Sequence, residues 1–146
     1  MDKNDLAQAI TAVKEEAMLA LAAEETPVGA VVLAPDGTIV ARSHNETGKT
    51  GSPLAHAEFL ALEQVSGNLG GHWLGGYSLI VSLEPCLMCF GAALNVGISE
   101  IYYLARSPLD GAFSKYHLQG KTKEHFLPDS EEEQRLKTFF AHLRHN

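Results

Sequence analysis

The chain has 146 residues, 45% of them hydrophobic and 20% charged, which is the balance of an ordinary globular protein, and we expect one domain over residues 1–146. Its formal net charge of −7 argues against a strongly basic nucleic-acid surface. The charge is uneven, however: residues 1–101 carry 4 basic and 12 acidic side chains, whereas residues 102–146 carry 7 and 6. The sequence shows neither a signal peptide nor the about 20 apolar residues of a membrane span, so we expect a cytoplasmic protein without a membrane partner.

The first part of the chain predicts a helix followed by a β-hairpin. Apolar residues recur at helical spacing from about residue 4 to residue 24. The segments Gly29–Leu33 and Thr38–Arg42 then flank Pro35-Asp36-Gly37, a combination typical of a turn. Two short apolar segments joined by such a turn predict an antiparallel pair of strands.

The next segments predict a loop, a second helix and a glycine-rich connection. Residues 48–52 are polar and contain glycine, which favours a loop. Ser52-Pro53 is a typical helix start, and the predicted helix includes His56 and ends near Val65. Residues 67–76 contain several glycines and predict a connection without regular structure.

The remaining segments predict a strand over Tyr77–Ser82, a helix from Pro85 to about Asn95, and a strand over Ile101–Leu104. A strand, helix and strand in this order imply a right-handed crossover and a parallel pair. Residues 105–128 show no clear pattern, and no fifth strand can be placed there. Together with the hairpin, these elements predict a three-layer α/β/α domain with a central mixed sheet.

Residues 130–143 predict a C-terminal helix. Its apolar residues lie on one side, which favours packing against the core over stacking on a nucleic-acid base. These residues are Leu136, Phe139, Phe140 and Leu143.

Two short motifs carry the chemistry, His56-Ala57-Glu58 and Pro85-Cys86-Leu87-Met88-Cys89. One imidazole and two thiolates give zinc three protein ligands and leave a fourth position open, as in catalytic rather than structural sites. The two cysteines are the only ones in the chain, and their predicted place at a helix N-terminus favours the thiolate form. We therefore expect one zinc ion per chain, bound by His56, Cys86 and Cys89.

Glu58 lies two residues after His56, so it need not bind the same metal ion. A carboxylate beside activated water can take up its proton and pass it to a ring nitrogen and a departing amine. Zinc nucleobase deaminases have a characteristic signature. It is a His-x-Glu motif on a helix, followed by a buried strand and then by a Pro-Cys-x-x-Cys motif. Glu58 is therefore the predicted catalytic residue.

Each motif alone has other interpretations. Cys86 and Cys89 could form a redox-active thiol pair, but that hypothesis leaves His56 and Glu58 without a role. A non-catalytic zinc-binding module is a further alternative. It predicts that Glu58→Ala binds zinc and its ligand normally, with no catalytic difference from the wild type.

The sequence resembles the cytidine deaminase-like superfamily and, within it, the bacterial tRNA adenosine deaminases. The resemblance covers roughly residues 5–112 and returns in the last helix. Beyond the zinc motifs, it rests on Glu25-Thr26-Pro27-Val28-Gly29-Ala30-Val31-Val32, Asn45, Leu83-Glu84-Pro85, Gly91-Ala92, and Phe139-Phe140 with Arg144.

The resemblance implies roles for particular residues. Asn45 stands where the family has an asparagine that contacts the target base. The resemblance also implies that Val28 and Ala57 contribute to substrate binding. The resemblance also implies a homodimer.

Adenosine in tRNA is the expected substrate, and a free nucleobase or nucleoside is the alternative. The Pro27-Val28-Gly29 motif of the first strand and the Phe139-Phe140 pair favour adenosine in tRNA, deaminated to inosine. The acidic composition, Ser52 in place of the family's aspartate and the divergent segment 107–129 favour a free nucleobase or nucleoside, such as guanine, cytosine or a related heterocycle.

Overall fold

The computed structural model describes residues 1–68 and 73–144 of the chain. Helices and strands alternate through most of it, and no helix among these residues has the length and hydropathy needed to cross a membrane. The elements are α1 (Lys3–Ala22), β1 (Gly29–Leu33), β2 (Ile39–His44), α2 (Thr47–Thr50), α3 (Ala57–Asn68), β3 (Ser78–Val81), α4 (Leu87–Val96), β4 (Glu100–Tyr103), β5 (Lys123–Phe126) and α5 (Ser130–Arg144).

The five strands form one sheet in the order β2-β1-β3-β4-β5. β1 pairs antiparallel with both β2 and β3, whereas β3, β4 and β5 run parallel to one another. The predicted hairpin, the parallel β3–β4 pair and the mixed sheet are therefore confirmed. β5 lies inside the segment in which the sequence predicted no strand.

The sheet separates two hydrophobic cores. Alternate residues of a strand point to opposite faces, and β1 shows this directly. Val31 and Leu33 pack with Ala9 and Val13 of α1, whereas the other β1 side chains face the core that includes α3 and α4. The helices thus cover both faces, and the predicted three-layer α/β/α architecture is confirmed.

The hairpin turn forms where the sequence placed it. Gly37 adopts a φ of 89°, which a residue with a side chain rarely adopts, and its N–H donates to the Ala34 carbonyl. The Asp36 carboxylate accepts a hydrogen bond from the Thr38 N–H at 3.0 Å. These hydrogen bonds between near neighbours in the chain close the turn, and the Asp5 side chain of α1 lies against Gly37.

Several predicted boundaries were wrong. The predicted loop 48–52 contains part of α2, and α3 begins at Ala57 rather than at Ser52-Pro53. α3 also continues to Asn68, beyond the predicted end, while residues 69–72 of the predicted glycine-rich connection lie outside the described residues. Proline in the first turn is common in helices, but here Pro53 lies in a turn that precedes the helix.

Gly29 allows α1 to lie directly against β1. A Cβ atom built at Gly29 would lie 2.7 Å from the Ala17 backbone nitrogen and would overlap the Val13 carbonyl oxygen. These neighbours are backbone atoms of a helix and cannot move aside singly. The close approach of α1 to the sheet therefore depends on the absence of a side chain at this position.

Gly29→Ala is expected to lower the free energy of unfolding by about 2–3 kcal/mol, because α1 must shift away from the sheet. The measurement is urea unfolding followed by circular dichroism. Gly67→Ala is the control, since that position in α3 has open space around it and the substitution should stabilise the helix by up to about 1 kcal/mol. Equal stabilities of the two variants would contradict the steric argument.

Candidate metal centre and active site

The N-terminal ends of α3 and α4 meet at the three predicted zinc ligands. His56 immediately precedes α3, Cys86 is the N-cap residue of α4, and Cys89 lies in its first turn. The sequence prediction placed His56 inside α3 and Cys86 in the first turn of α4, so both residues lie earlier relative to their helices than expected. These shifted helix boundaries leave the predicted cluster intact. The N-terminal ends of α3 and α4, and not the faces of the two helices, bring the ligands together.

The ligand atoms have the spacing that zinc requires. The Nδ1 atom of His56 lies 3.6 Å from the Sγ atoms of both Cys86 and Cys89, and all three ligand atoms lie within 4.8 Å of one another. Zn–S bonds of about 2.3 Å and Zn–N bonds of about 2.0–2.1 Å at a tetrahedral angle place nitrogen and sulfur about 3.6 Å apart. The residues therefore fit a zinc ion, with Nδ1 as the histidine ligand atom.

The two thiols are electrostatically unequal. The Cys86 thiol has its pKa lowered to about 4, first because Cys89 donates a hydrogen bond to its thiolate and also because of His56. The same interaction with Cys86, together with burial, raises the pKa of the Cys89 thiol. The His56 pKa is also raised, mainly by its hydrogen bond to Cys86. The surroundings of Cys86 thus favour the thiolate form that zinc requires, and zinc binding would release the proton of Cys89.

Glu58 lies in the first turn of α3, next to the cysteine–histidine cluster. Only 4% of its surface is exposed, yet it lines the adjoining cavity. Burial raises the pKa of its carboxyl to about 7, and the negative charge of Cys86 adds to this effect. A carboxyl group that titrates near neutral pH can both accept and donate a proton there.

A cavity of about 700 Å³ opens over the cluster. Val28 and Asn45, two of the three predicted substrate-binding residues, line it, whereas the fully buried Ala57 does not. The lining residues are Thr26, Val28, Asn45, Thr47, His56, Glu58, Leu83, Glu84, Cys86, Ala105, Arg106, Ser107, Pro108, Leu109, Asp110, Phe126, Glu133, Leu136, Lys137 and Phe140.

Asn45 is held in a defined orientation. Its side-chain Nδ2 atom lies 3.1 Å from the Thr47 Oγ1 atom and 3.4 Å from the buried Glu25 carboxylate. Because a carboxylate only accepts hydrogen bonds, the atom that faces Glu25 must be the amide nitrogen. Glu25 also accepts hydrogen bonds from the backbone N–H groups of Gly48 and Lys49, so it fixes the loop around Asn45 as well.

The C-terminal helix contributes to the cavity more than to the core. Leu136 is buried, but Phe140 is 42% exposed and Leu143 is 52% exposed. Phe140 lines the cavity and packs edge-on against Phe139. The prediction that these aromatic residues belong to the core was therefore wrong for Phe140. The side chain of Arg144, part of the same resemblance, lies outside the described residues.

Sequence reasoning missed the cationic side chains of the cavity, Arg106 and Lys137. The Arg106 guanidinium lies 4.3 Å from the centre of the Phe126 ring. Arg106 follows the carboxyl end of the parallel strand β4, the edge at which open α/β sheets bind ligands. That rule would have indicated Arg106 from the sequence. Lys137 carries no comparable signal, because its position depends on how α5 crosses the cavity.

The chain belongs to the cytidine and deoxycytidylate deaminase family, since residues 3–105 match the zinc-binding region of that family. The zinc prediction is thus supported both by the family and by the ligand spacing. A tRNA-specific adenosine deaminase of Aquifex aeolicus is 32% identical over 138 residues, which cover 90% of this chain and 91% of that protein. The predicted resemblance to bacterial tRNA adenosine deaminases is therefore confirmed.

Two further related proteins differ in how much of their own length this chain covers. A tRNA(Ile)-lysidine synthase of Deinococcus radiodurans is 47% identical over 89 residues, which cover 61% of this chain but only 15% of that protein. A solved structure from studies of A-to-I editing by tRNA:A34 deaminases at the wobble position superposes with a TM-score of 0.77 and 30% identity, covering 83% of this chain and 98% of that one. The fold is thus shared over nearly the whole length of a deaminase chain.

Proposed function

We propose that the protein is a zinc-dependent hydrolytic deaminase that converts adenosine to inosine in tRNA. The observation that carries this proposal is the position of Glu58, a buried carboxyl beside a His–Cys–Cys cluster at the base of a large cavity. A purely structural zinc site has no need of such a carboxyl or of an open cavity. The similarity to tRNA-specific adenosine deaminases supports the choice of substrate.

Each residue has a distinct task in this proposal. Zinc held by His56, Cys86 and Cys89 would supply Lewis-acid chemistry that activates water at neutral pH. The Glu58 carboxylate accepts one proton of the attacking water and donates it to the ring nitrogen. It then accepts the proton of the hydroxyl group added to the base and donates that proton to the departing amine, which leaves as ammonia. Asn45, fixed by Glu25, orients the base, and Val28 forms an apolar part of the surface that the base contacts. Ala57 is buried, so any contact it makes would come from its backbone.

The rim of the cavity favours a nucleotide within RNA over a free base. Leu109 is 81% exposed and Phe140 42% exposed, and both lie at the cavity. Exposed apolar and aromatic side chains at such an edge can stack on the bases that flank a target nucleotide. Arg106 and Lys137 offer positive charge for phosphate groups. Four acidic residues also line the cavity and offset this charge, namely Glu58, Glu84, Asp110 and Glu133.

Zinc-loaded protein incubated with unmodified bacterial tRNA is expected to produce inosine, measured by mass spectrometry after digestion of the RNA. The Glu58→Ala variant is the control, and inosine should be absent from it. Ammonia release from free guanine, cytosine and adenosine is measured in parallel. Ammonia release without inosine would identify a free-base or free-nucleoside deaminase and contradict the tRNA proposal.

We further propose that residues 1–146 form a single domain with one zinc ion per chain and that the active form is a homodimer. Leu54 and Leu87 support the dimer. Each is 51% exposed. In the chain, Leu54 closely precedes His56 and Leu87 directly follows Cys86. A second copy of the chain would cover such apolar side chains at the ends of α3 and α4.

A further inference from the structure

One wall of the cavity is formed by a loop without regular structure. We call residues 106–114, which follow β4, the cavity loop. Its first five residues, from Arg106 to Asp110, all line the cavity, and Leu109 is the most exposed large apolar side chain among the described residues. A loop that presents so many side chains to a substrate needs a fixed backbone, because each mobile residue would have to be ordered on binding.

A single buried carboxylate, that of Glu84, organises this loop. Its Oε1 atom accepts hydrogen bonds from the Ser107 N–H at 3.0 Å and the Ser114 hydroxyl at 2.5 Å. Its Oε2 atom accepts from the N–H groups of Phe113 and Ser114, at 2.9 and 2.7 Å. The four hydrogen bonds use the full acceptor capacity of the carboxylate and join both ends of the loop to one side chain.

The loop is shaped to receive this carboxylate. A Cβ atom at Gly111 would overlap the Glu84 carboxylate, so glycine is required for the close approach. The Ala112 N–H also donates to the Pro85 carbonyl at 2.9 Å, and Cys86 pairs with Gly111 in an isolated β-bridge. The segment that carries the zinc ligand Cys86 and the segment that carries the cavity wall are therefore fastened to each other.

We propose that Glu84 is a positioning residue for substrate recognition, which holds the cavity loop in register with the zinc ligands. It acts through the loop and takes no part in the proton transfers. Loss of its hydrogen bonds would loosen the wall that the substrate contacts, whereas the cluster and Glu58 would keep their geometry. The role of Glu84 in substrate recognition rests on the proposed function, but its expected effect on the cavity loop does not.

The first test is independent of any substrate. Glu84→Gln replaces one carboxylate oxygen by an NH₂ group, which cannot accept a hydrogen bond from a backbone N–H, so at least one of the four hydrogen bonds is lost. Hydrogen exchange of the peptide over residues 106–114 is expected to accelerate roughly 10- to 100-fold, while the β3 peptide and the zinc content stay as in the wild type. Glu63→Gln, an exposed glutamate on α3, is the matched control and should change neither.

The second test uses whichever substrate the wild type deaminates, tRNA or a free base. Glu84→Gln is expected to raise KM by about 10- to 100-fold and to change kcat by less than about threefold. Gly111→Ala displaces the same carboxylate by steric overlap and should show the same pattern, without an additive effect in the double variant.

Unchanged loop exchange, loss of zinc, or a fall in kcat at constant KM would each overturn the proposal. So would failure of both single variants to fold, because Glu84 would then be purely structural. If wild-type protein produces no inosine but the loop exchange of Glu84→Gln accelerates, the tRNA function fails and the role of Glu84 in the loop stands.

Discussion

Glu58→Gln is expected to lower kcat by about 10²–10⁴-fold while the protein keeps one zinc ion per chain. Glutamine has nearly the same shape as glutamate, so the packing of this buried position at the start of α3 is preserved. The amide, however, can neither accept nor release a proton near neutral pH, whereas burial and the nearby Cys86 thiolate raise the carboxyl pKa of Glu58 to about 7. The measurement is steady-state kinetics combined with zinc determination by atomic absorption.

The control for this variant lies on the same helix. Glu63→Gln makes the identical chemical change at an exposed position and should leave kcat and zinc content unchanged. A Glu58→Gln protein that retains zinc and more than about a tenth of wild-type turnover would contradict the assignment of proton transfer to Glu58. The non-catalytic zinc-module hypothesis predicts no catalytic difference between the variant and the wild type, so the experiment separates the two.

The zinc cluster could be predicted from the sequence because its chemistry is local. His56, Cys86 and Cys89 are of residue types that bind zinc, at the spacing of a known signature. The helix boundaries were less predictable, since Ser52-Pro53 and Pro85 are equally compatible with a position just before a helix. The residue at which a helix begins depends on the position and direction in which the preceding strand or turn ends. A local residue pattern does not predict this position.

β5 and Phe140 show what periodicity cannot reveal. β5 is only four residues long and lies at the edge of the sheet, with two exposed and two partly buried residues, so no alternation stands out. Phe140 lies on the apolar side of α5, but this side faces a cavity as well as a core. Periodicity identifies which side of a helix is apolar, whereas only the tertiary structure shows what that side meets.

The roles of Glu25 and Glu84 could not be predicted from the sequence either. Each is a buried carboxylate whose partners are mostly backbone N–H groups more than 20 residues away in the chain. Backbone donors are present at every residue except proline, so the sequence carries no pairing signal for such contacts. The resemblance included both residues within longer motifs but assigned neither of them a role.

Cys89→Ser is expected to abolish both zinc binding and turnover. A serine hydroxyl is a far weaker zinc ligand than a thiolate, and two of the three protein ligands would remain. Zinc is also expected to stabilise the folded state of the wild type, because the unfolded chain does not hold the three ligands together. The wild-type Tm should therefore rise when zinc is added to the metal-free protein, whereas the Tm of Cys89→Ser should not respond.

Met88→Leu is the control for this variant, since it changes the neighbouring residue of the same helical turn with little change in volume and removes no ligand. It should bind one zinc ion and show the wild-type response of Tm to zinc. A Cys89→Ser protein that holds one zinc ion per chain would show that the three-residue cluster is not the binding site. Glu58→Gln should lose turnover but keep zinc, whereas Cys89→Ser should lose both. The two variants together therefore separate proton transfer from metal binding in one active site.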